Sequence, residues 1–359
     1  MNRTVLPTLI SSIILASSWG CSSEGAPPSA NGGEAGTSGG GSAGGPPVGG
    51  TSAGGSSGTS AGGTSGASSG GTSSDPDVGT FVVTLNPMEG SSAPYTSIDG
   101  KVYSGETPTD VIETPVASGN GCKTVVFSRQ PCVNVTCSGT QACAGPDDCR
   151  DLPSQVGVGP VSVTGVGPDV LNLSETNKNY QYAGEIPYPG FEDGATISLT
   201  AGGDFYPAFD VSTTGVAPMV LHADEYSLSN GQPLLVEWTP GTNQAAGVTI
   251  SLNISRHGGS SGYLACETED SGSLTIPAEP IRELIALGVA GFPQLVVRRH
   301  TRAEAEVTNG KVALEVEAIA IPTLAVEGYC SCFDSSDCGT CADTSKSVCD
   351  SVRRVCVSP

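Results

Sequence analysis

The thirteen cysteines are the most reactive side chains of this chain, and their spacing decides what chemistry they offer. Twelve lie in two groups. Cys122, Cys132, Cys137, Cys143 and Cys149 sit close together, with Cys266 alone further on, and Cys330, Cys332, Cys338, Cys341, Cys349 and Cys356 close the chain. If Cys266 joins the first group, each group has an even membership, which in an exported protein reads as a disulfide framework. The second group contains a C-x-x-C, a spacing that also ligates zinc. No histidine lies near it, and exported thiols are kept oxidised. The twelve are therefore read as disulfides with no metal. Spacing alone does not choose among the pairings within a group.

Little else is arranged for catalysis. Gly258-Gly259-Ser260-Ser261-Gly262 matches the G-x-S-x-G of an esterase nucleophile elbow, with His257 just before it. That elbow needs a strand, a strained turn and then a helix, whereas Tyr263 to Cys266 reads as a second strand. The same pattern recurs at 54–58 and 66–70, where Gly/Ser-rich composition generates it. We read 257–262 as a hairpin loop and expect no catalytic residue. His222, His257 and His300 are the only histidines, and no H-E-x-x-H, phosphate loop, dinucleotide fingerprint or EF-hand loop occurs, so no cofactor is expected. Asp334 and Asp337 read as turn formers rather than a calcium site.

Two clusters offer ligand contacts instead. Aromatic residues concentrate between Tyr180 and Phe209, and Tyr180 and Tyr182 would share one face of a strand, where rings can stack on sugars. The bland alternative is core and sheet packing. Arg298, Arg299, His300 and Arg302 form a basic run that can hold an anionic glycan or lipid headgroup. The competing role is cross-strand pairing with Glu304, Glu306, Glu315 and Glu317. The formal charge of −21, with only 15 Lys+Arg, excludes nucleic acid as a partner because such a surface repels phosphate backbones. Solubility accounts for the acidity.

These groups need positioning, and the N-terminus says where. Arg3, an apolar stretch from Val5 to Ala16 and a small-residue exit read as an export signal too short to span a bilayer as a stable helix. Ser18-Trp19-Gly20-Cys21 resembles the bacterial lipobox, with Ser18 and Trp19 replacing the usual Leu and small residue; ordinary signal-peptidase cleavage is the alternative. Acylation of Cys21 removes the odd cysteine and supplies a stable anchor. Ser22 rather than Asp follows it, which points to the outer membrane. From Gly25 to Ser74 the chain has 19 Gly and a single charge, Glu34. Such a segment buries almost nothing and stays disordered, a coil with a root-mean-square span of about 40 Å.

From Thr80 onward, short runs such as Phe81 to Leu85, Val161 to Thr164, Thr196 to Thr200, Met219 to His222, Leu234 to Trp238, Val248 to Ile254, Gln294 to His300 and Val312 to Ala320 read as strands. One helix is expected from Pro277 to Leu287, with Pro280 tolerated in its first turn. Leu234-Leu-Val-Glu-Trp-Thr-Pro240 looks like the Trp-bearing strand of a fibronectin type III module. Together with the lipobox, Gly/Ser/Thr tether, Cys cluster and terminal Cys-rich segment, it makes the chain resemble a group of surface lipoproteins of gliding Gram-negative bacteria. That resemblance implies architecture and location and carries no activity.

The expected layout is a signal peptide at 1–20, an anchor and tether at 21–78, a body at 79–326 with a Cys-rich segment at 119–152, and a Cys-rich tail at 327–359. The expected fold is all-β: an antiparallel β-sandwich of immunoglobulin or fibronectin III type with one short helix. The expected role is non-catalytic binding or structure at the outer membrane, through the lipid anchor, with a glycan or surface protein as partner and Tyr180, Tyr182, Arg298 and Arg302 as contacts. The alternative is a secreted hydrolase acting on esters or glycans. A tail that is itself the recognition surface is a third option.

Overall fold

Alternating apolar and polar residues form strands because a pleated chain turns successive side chains to opposite faces. The structure, a computed structural model, describes residues 75–87, 93–256, 259 and 261–359. Cys21, the signal segment, the tether to residue 74, and His257, Gly258 and Ser260 lie outside the described residues. Among the described residues no helix is long and apolar enough to cross a membrane.

Nearly all regular structure is β. β1 (Asp77–Asn86) and β2 (Tyr95–Val102) are followed by the hairpin of β3 (Val111–Gly119) and β4 (Cys122–Arg129) and by a small ribbon, β5 (Gln141–Gly145) and β6 (Asp148–Asp151). Five shorter strands come next: β7 (Val161–Thr164), β8 (Leu171–Thr176), β9 (Asn179–Gln181), β10 (Thr196–Ala201) and β11 (Phe209–Thr214). β12 (Glu225–Leu228), β13 (Leu234–Glu237), β14 (Gly247–Asn253), β15 (Gly262–Glu269) and β16 (Ser273–Ile276) lead to the helix α1 (Ala278–Ala286). The long β17 (Gln294–Val307) and β18 (Gly310–Ala320), then β19 (Thr323–Val326), complete the body. The tail holds a 3-10 turn at Asp337–Thr340 and the ribbon of β20 (Val348–Asp350) and β21 (Val355–Val357).

Thirteen strands join one sheet in the order β11-β10-β7-β8-β9-β2-β1-β18-β17-β14-β15-β4-β3. The β-rich composition and single helix match expectation, but the sheet is mixed rather than antiparallel throughout. β1 lies parallel to β18, with Phe81 opposite Leu314 and Val83 opposite Val316. β12 and β19 form a second parallel pair. The sheet curls far enough for β11 to pack against β17 and β18, so Val163, Leu199 and Val211 share one core with Val83, Val297 and Leu314. β1 starts at Asp77 and Val78 is buried. Met219 to His222 forms no strand: only Leu221 makes an isolated bridge, to Trp238. The carbonyls of Ala217 and Pro218, just before it, are taken by Arg299 instead of a ladder.

α1 starts after Pro277 and buries Pro280, Ile281 and Leu284 against β3, β4 and β15. The buried Thr124 hydroxyl donates to the Pro280 carbonyl at 2.7 Å. A proline this near the start leaves the helix intact because the first turn's N–H groups have no intrahelical partner.

All twelve described cysteines are bridged. Cys122–Cys266, Cys132–Cys143 and Cys137–Cys149 close the first group, and Cys330–Cys341, Cys332–Cys349 and Cys338–Cys356 the second. Cys266 thus completes the first group as its spacing suggested. Its bridge joins neighbouring strands, where Cys122 and Cys266 face each other across β4 and β15. It is therefore not the inter-sheet bridge of an immunoglobulin domain. The tail bridges link first to fourth, second to fifth and third to sixth cysteine, and their sulfurs make up most of a small separate core.

Candidate functional site

Side-chain alternation on three neighbouring strands builds a surface groove that carries several polar groups. On β1 the inward residues are Phe81, Val83 and Leu85, which leaves Thr80 and Val82 on the other face. On β2, Ile98, Gly100 and Val102 point inward, and Asp99 and Lys101 outward. On β9, Tyr180 is inward with Asn179 and Gln181 outward. Register then sets two cross-strand rows: Thr80, Lys101 and Asn179, beside Val82, Asp99 and Gln181. Adjacent members of a row lie about 5 Å apart, as facing residues do. The inner side is held by close packing. A Cβ at Gly100 would come within 2.1 Å of the Phe81 ring, and that ring packs against Tyr180 at a tilt of 51°, with 5.6 Å between centroids.

Tyr103 and Thr107 close the rim of this groove, whose volume is about 380 Å³. Tyr103 is fixed by its N–H to the Val78 carbonyl at 2.7 Å and by its own carbonyl, which accepts the Tyr206 hydroxyl at 2.9 Å. Among the described residues, the polar atoms of Thr80, Asp99, Lys101 and Gln181 have no side-chain hydrogen bond or ion pair. The groove therefore presents a hydroxyl, a carboxylate, an ammonium and an amide, all unengaged, around an apolar Val82. That set can both donate and accept hydrogen bonds.

The contact residues expected from sequence are placed differently. Tyr180 is 1% exposed; its hydroxyl accepts the Val158 N–H at 2.8 Å and donates to Glu175 at 3.3 Å. Its ring is core, which corrects its assignment as a sugar-stacking surface. Tyr182 follows the end of β9 and packs, partly buried, on the same core, so the two do not share an exposed strand face.

The basic run is split by alternation. Arg298 pairs with Glu317 at 2.9 Å. Arg302 binds Asp77 at 2.7 Å, Glu304 at 3.1 Å and also Glu315, its direct cross-strand partner. Both are committed to carboxylates, the competing role set out above. Arg299 points the other way, into the core, where it is 0% exposed and bound to Asp270. Period-two alternation in 298–302 was the available signal for this, since odd and even positions of a strand cannot share a face.

His300 lies in the outer ladder, its Nε2 2.9 Å from the Thr249 hydroxyl. Burial, first, and Arg298 beside it hold its imidazole below its ordinary value, against the opposing pull of Glu315 and Glu267. The unfolded chain therefore takes up a proton at a higher pH than the fold, and stability falls as pH drops through the ordinary histidine value near about 6.5. His300→Gln is expected to flatten the unfolding free energy between about pH 7 and about pH 5. Urea melts across that range test it, and an unchanged slope would refute the assignment.

The remaining motifs bring no site together. β15 begins at Gly262 and continues as a strand through Glu269, so the helix an esterase elbow requires is not there. Cys132, Cys137 and Cys149, and two triplets in the tail, have sulfurs close enough for a metal, yet each of these sulfurs is in a disulfide. Asp334 and Asp337 accept the N–H groups of Ser336 and of Phe333 and Asp334, closing turns. No family model matches the chain, and no curated protein matches it in sequence.

Proposed function

We propose that this is a lipid-anchored, non-catalytic binding protein of the outer-membrane surface. In this reading Cys21 carries the anchor and the groove over β1, β2 and β9 takes a glycan. The observation that carries it is the convergence of Asp99, Lys101, Gln181 and Thr80, unengaged among the described residues, on one surface. Polar side chains that face solvent without partners cost the fold nothing, and they are available to hydroxyl-bearing ligands. The curled sheet, with β11 against β17 and β18, supports a sandwich related to the fibronectin III and immunoglobulin architectures. The bridged cysteines support an exported protein, since such frameworks persist in oxidising compartments. The signal, the tether and the resemblance to surface lipoproteins of gliding Gram-negative bacteria rest on the sequence pattern.

A glycan array probed with the full protein tests the groove. Binding is expected for the native chain, with at least about tenfold loss for Asp99→Ala and for Lys101→Ala. Hits that neither substitution weakens would remove the groove from the account. Intact mass of membrane-extracted protein tests the anchor, which fails if Cys21 carries no acyl mass. Turnover of ester or glycoside substrates that is lost in Ser260→Ala would favour a hydrolase instead.

A further inference from the structure

Thr107 lies on the rim of the groove. That residue also lines a second cavity of about 310 Å³, between the 106–109 segment and the β5–β6 ribbon, walled by Glu106, Pro108, Thr109, Arg150 and Asp151. The wall is cross-linked and hydrogen-bonded. Cys132–Cys143 and Cys137–Cys149 lock the ribbon. Asp147 accepts the backbone N–H groups of Val133 and Asn134 at 2.8 and 2.7 Å. Gln141 donates to Asp151 at 2.9 Å. The segment leading into 106–109 is tied down by Ser104, whose N–H donates to the Ser154 carbonyl at 2.9 Å and whose hydroxyl accepts the Ser154 N–H at 3.1 Å.

We propose that the two cavities, which share Thr107, are consecutive subsites of one binding path for a linear uncharged glycan. This rests on the glycan-binding reading above and adds the ligand's charge and length. The chemistry of the walls favours it. Each cavity offers one cation beside carboxylate, Lys101 with Asp99 and Arg150 with Asp151 and Glu106. Neither half suits a polyanion, and the chain's net charge of −21 repels one. Sugar hydroxyls both donate and accept, so they suit carboxylate, ammonium and amide together. Val82 and Pro108 supply small apolar surface for the C–H face of a ring.

An extended peptide fits less well. β2 is paired on both sides, by β1 and by β9, so this surface has no open strand edge for added main-chain hydrogen bonds. Arg150 is available to a ligand, with its side chain 63% exposed and only its Nε engaged, by Asp148 at 3.0 Å.

The test is titration calorimetry of the full protein with linear neutral glucans, mannans, galactans and xylans, from the dimer upward, beside charged glycans of equal length. Binding is expected to strengthen about tenfold or more between the dimer and chains long enough to pass Thr107. Arg150→Ala should abolish that increment, while Lys101→Ala weakens every length. Neutral chains that bind with no dependence on length, or ligands confined to charged glycans, overturn this proposal and leave the glycan reading standing. Binding of no glycan overturns both. Native hydrogen-exchange protection of β5 and β6 in Arg150→Ala separates a lost contact from a lost fold.

Discussion

Asp270→Ala is expected to destabilise the protein by about 3–5 kcal/mol, the cost of leaving a buried charge without its partner. Arg299 is fully buried, and each of its guanidinium N–H groups is used. Nε and Nη2 reach Asp270 at 2.7 and 3.2 Å, Nη1 reaches the carbonyls of Ala217 and Pro218, both at 2.9 Å, and Nη2 also reaches Thr239 O at 2.6 Å. Asp270 in turn accepts the Trp238 indole N–H and the Gly241 N–H, each at 2.7 Å. The network ties β17 to the 217–241 segment and to the turn between β15 and β16. Removing the carboxylate strands a guanidinium and an indole N–H out of reach of water, where each unmade bond costs its full desolvation.

Burial by itself pushes the Asp270 carboxyl up, but the hydrogen bonds from Arg299, Gly241 and Trp238 outweigh it and hold it below its ordinary value. Its contribution is therefore complete at neutral pH and is lost as pH falls through the folded-state value, below the ordinary carboxylate range. Urea unfolding without reductant measures the effect, and a loss under about 1 kcal/mol would show the network to be dispensable. Arg299→Met combined with Asp270→Leu should recover part of the loss, because an apolar pair replaces the stranded charge.

The second large effect is expected in the tail. Among its buried side chains, Cys332, Cys338, Cys341 and Cys356 are joined by Val355 and little else. The bridges span 11, 17 and 18 residues, each contributing about 3 kcal/mol by restricting the unfolded chain. With the sulfurs reduced, a segment this short has too little apolar surface to hold itself together. Mild reduction should therefore unfold residues 330–356 while the continuous core of the body, whose only cysteines are the buried Cys122 and Cys266, stays folded. Trypsin would then cut at Lys346, Arg353 and Arg354 well before it cuts the strands of that core. Simultaneous loss of protection in tail and body would show that the tail is not an independent disulfide-held unit.

Some of this was legible from residue order because local rules govern it. Alternation in Val248 to Ile254 and in Val312 to Ala320 placed β14 and most of β18, and Pro277 with the apolar spacing after it placed α1. The even grouping of cysteines foretold that Cys266 would close the first set. Other features depend on partners far away in the chain. The parallel pairing of β1 with β18 joins residues such as Thr84 and Glu317, 233 positions apart, and neither strand carries a mark that names the other. Tyr180 looked like a ligand platform because composition gives no sense of which face of a three-residue strand meets the core.

By itself, then, the sequence determined that the described chain would be β-rich with one short helix and that its cysteines would bridge in two sets. Periodicity and count are properties of short stretches and survive any arrangement of them. The tertiary structure alone decided that Arg299 turns inward while Arg298 and Arg302 turn to carboxylates. It alone brought Thr80, Lys101 and Asn179 into one row, and set the β5–β6 ribbon beside Thr107. Those are contacts between distant segments, fixed by register and by the curl of the sheet, and a linear pattern does not encode which distant backbone will lie alongside.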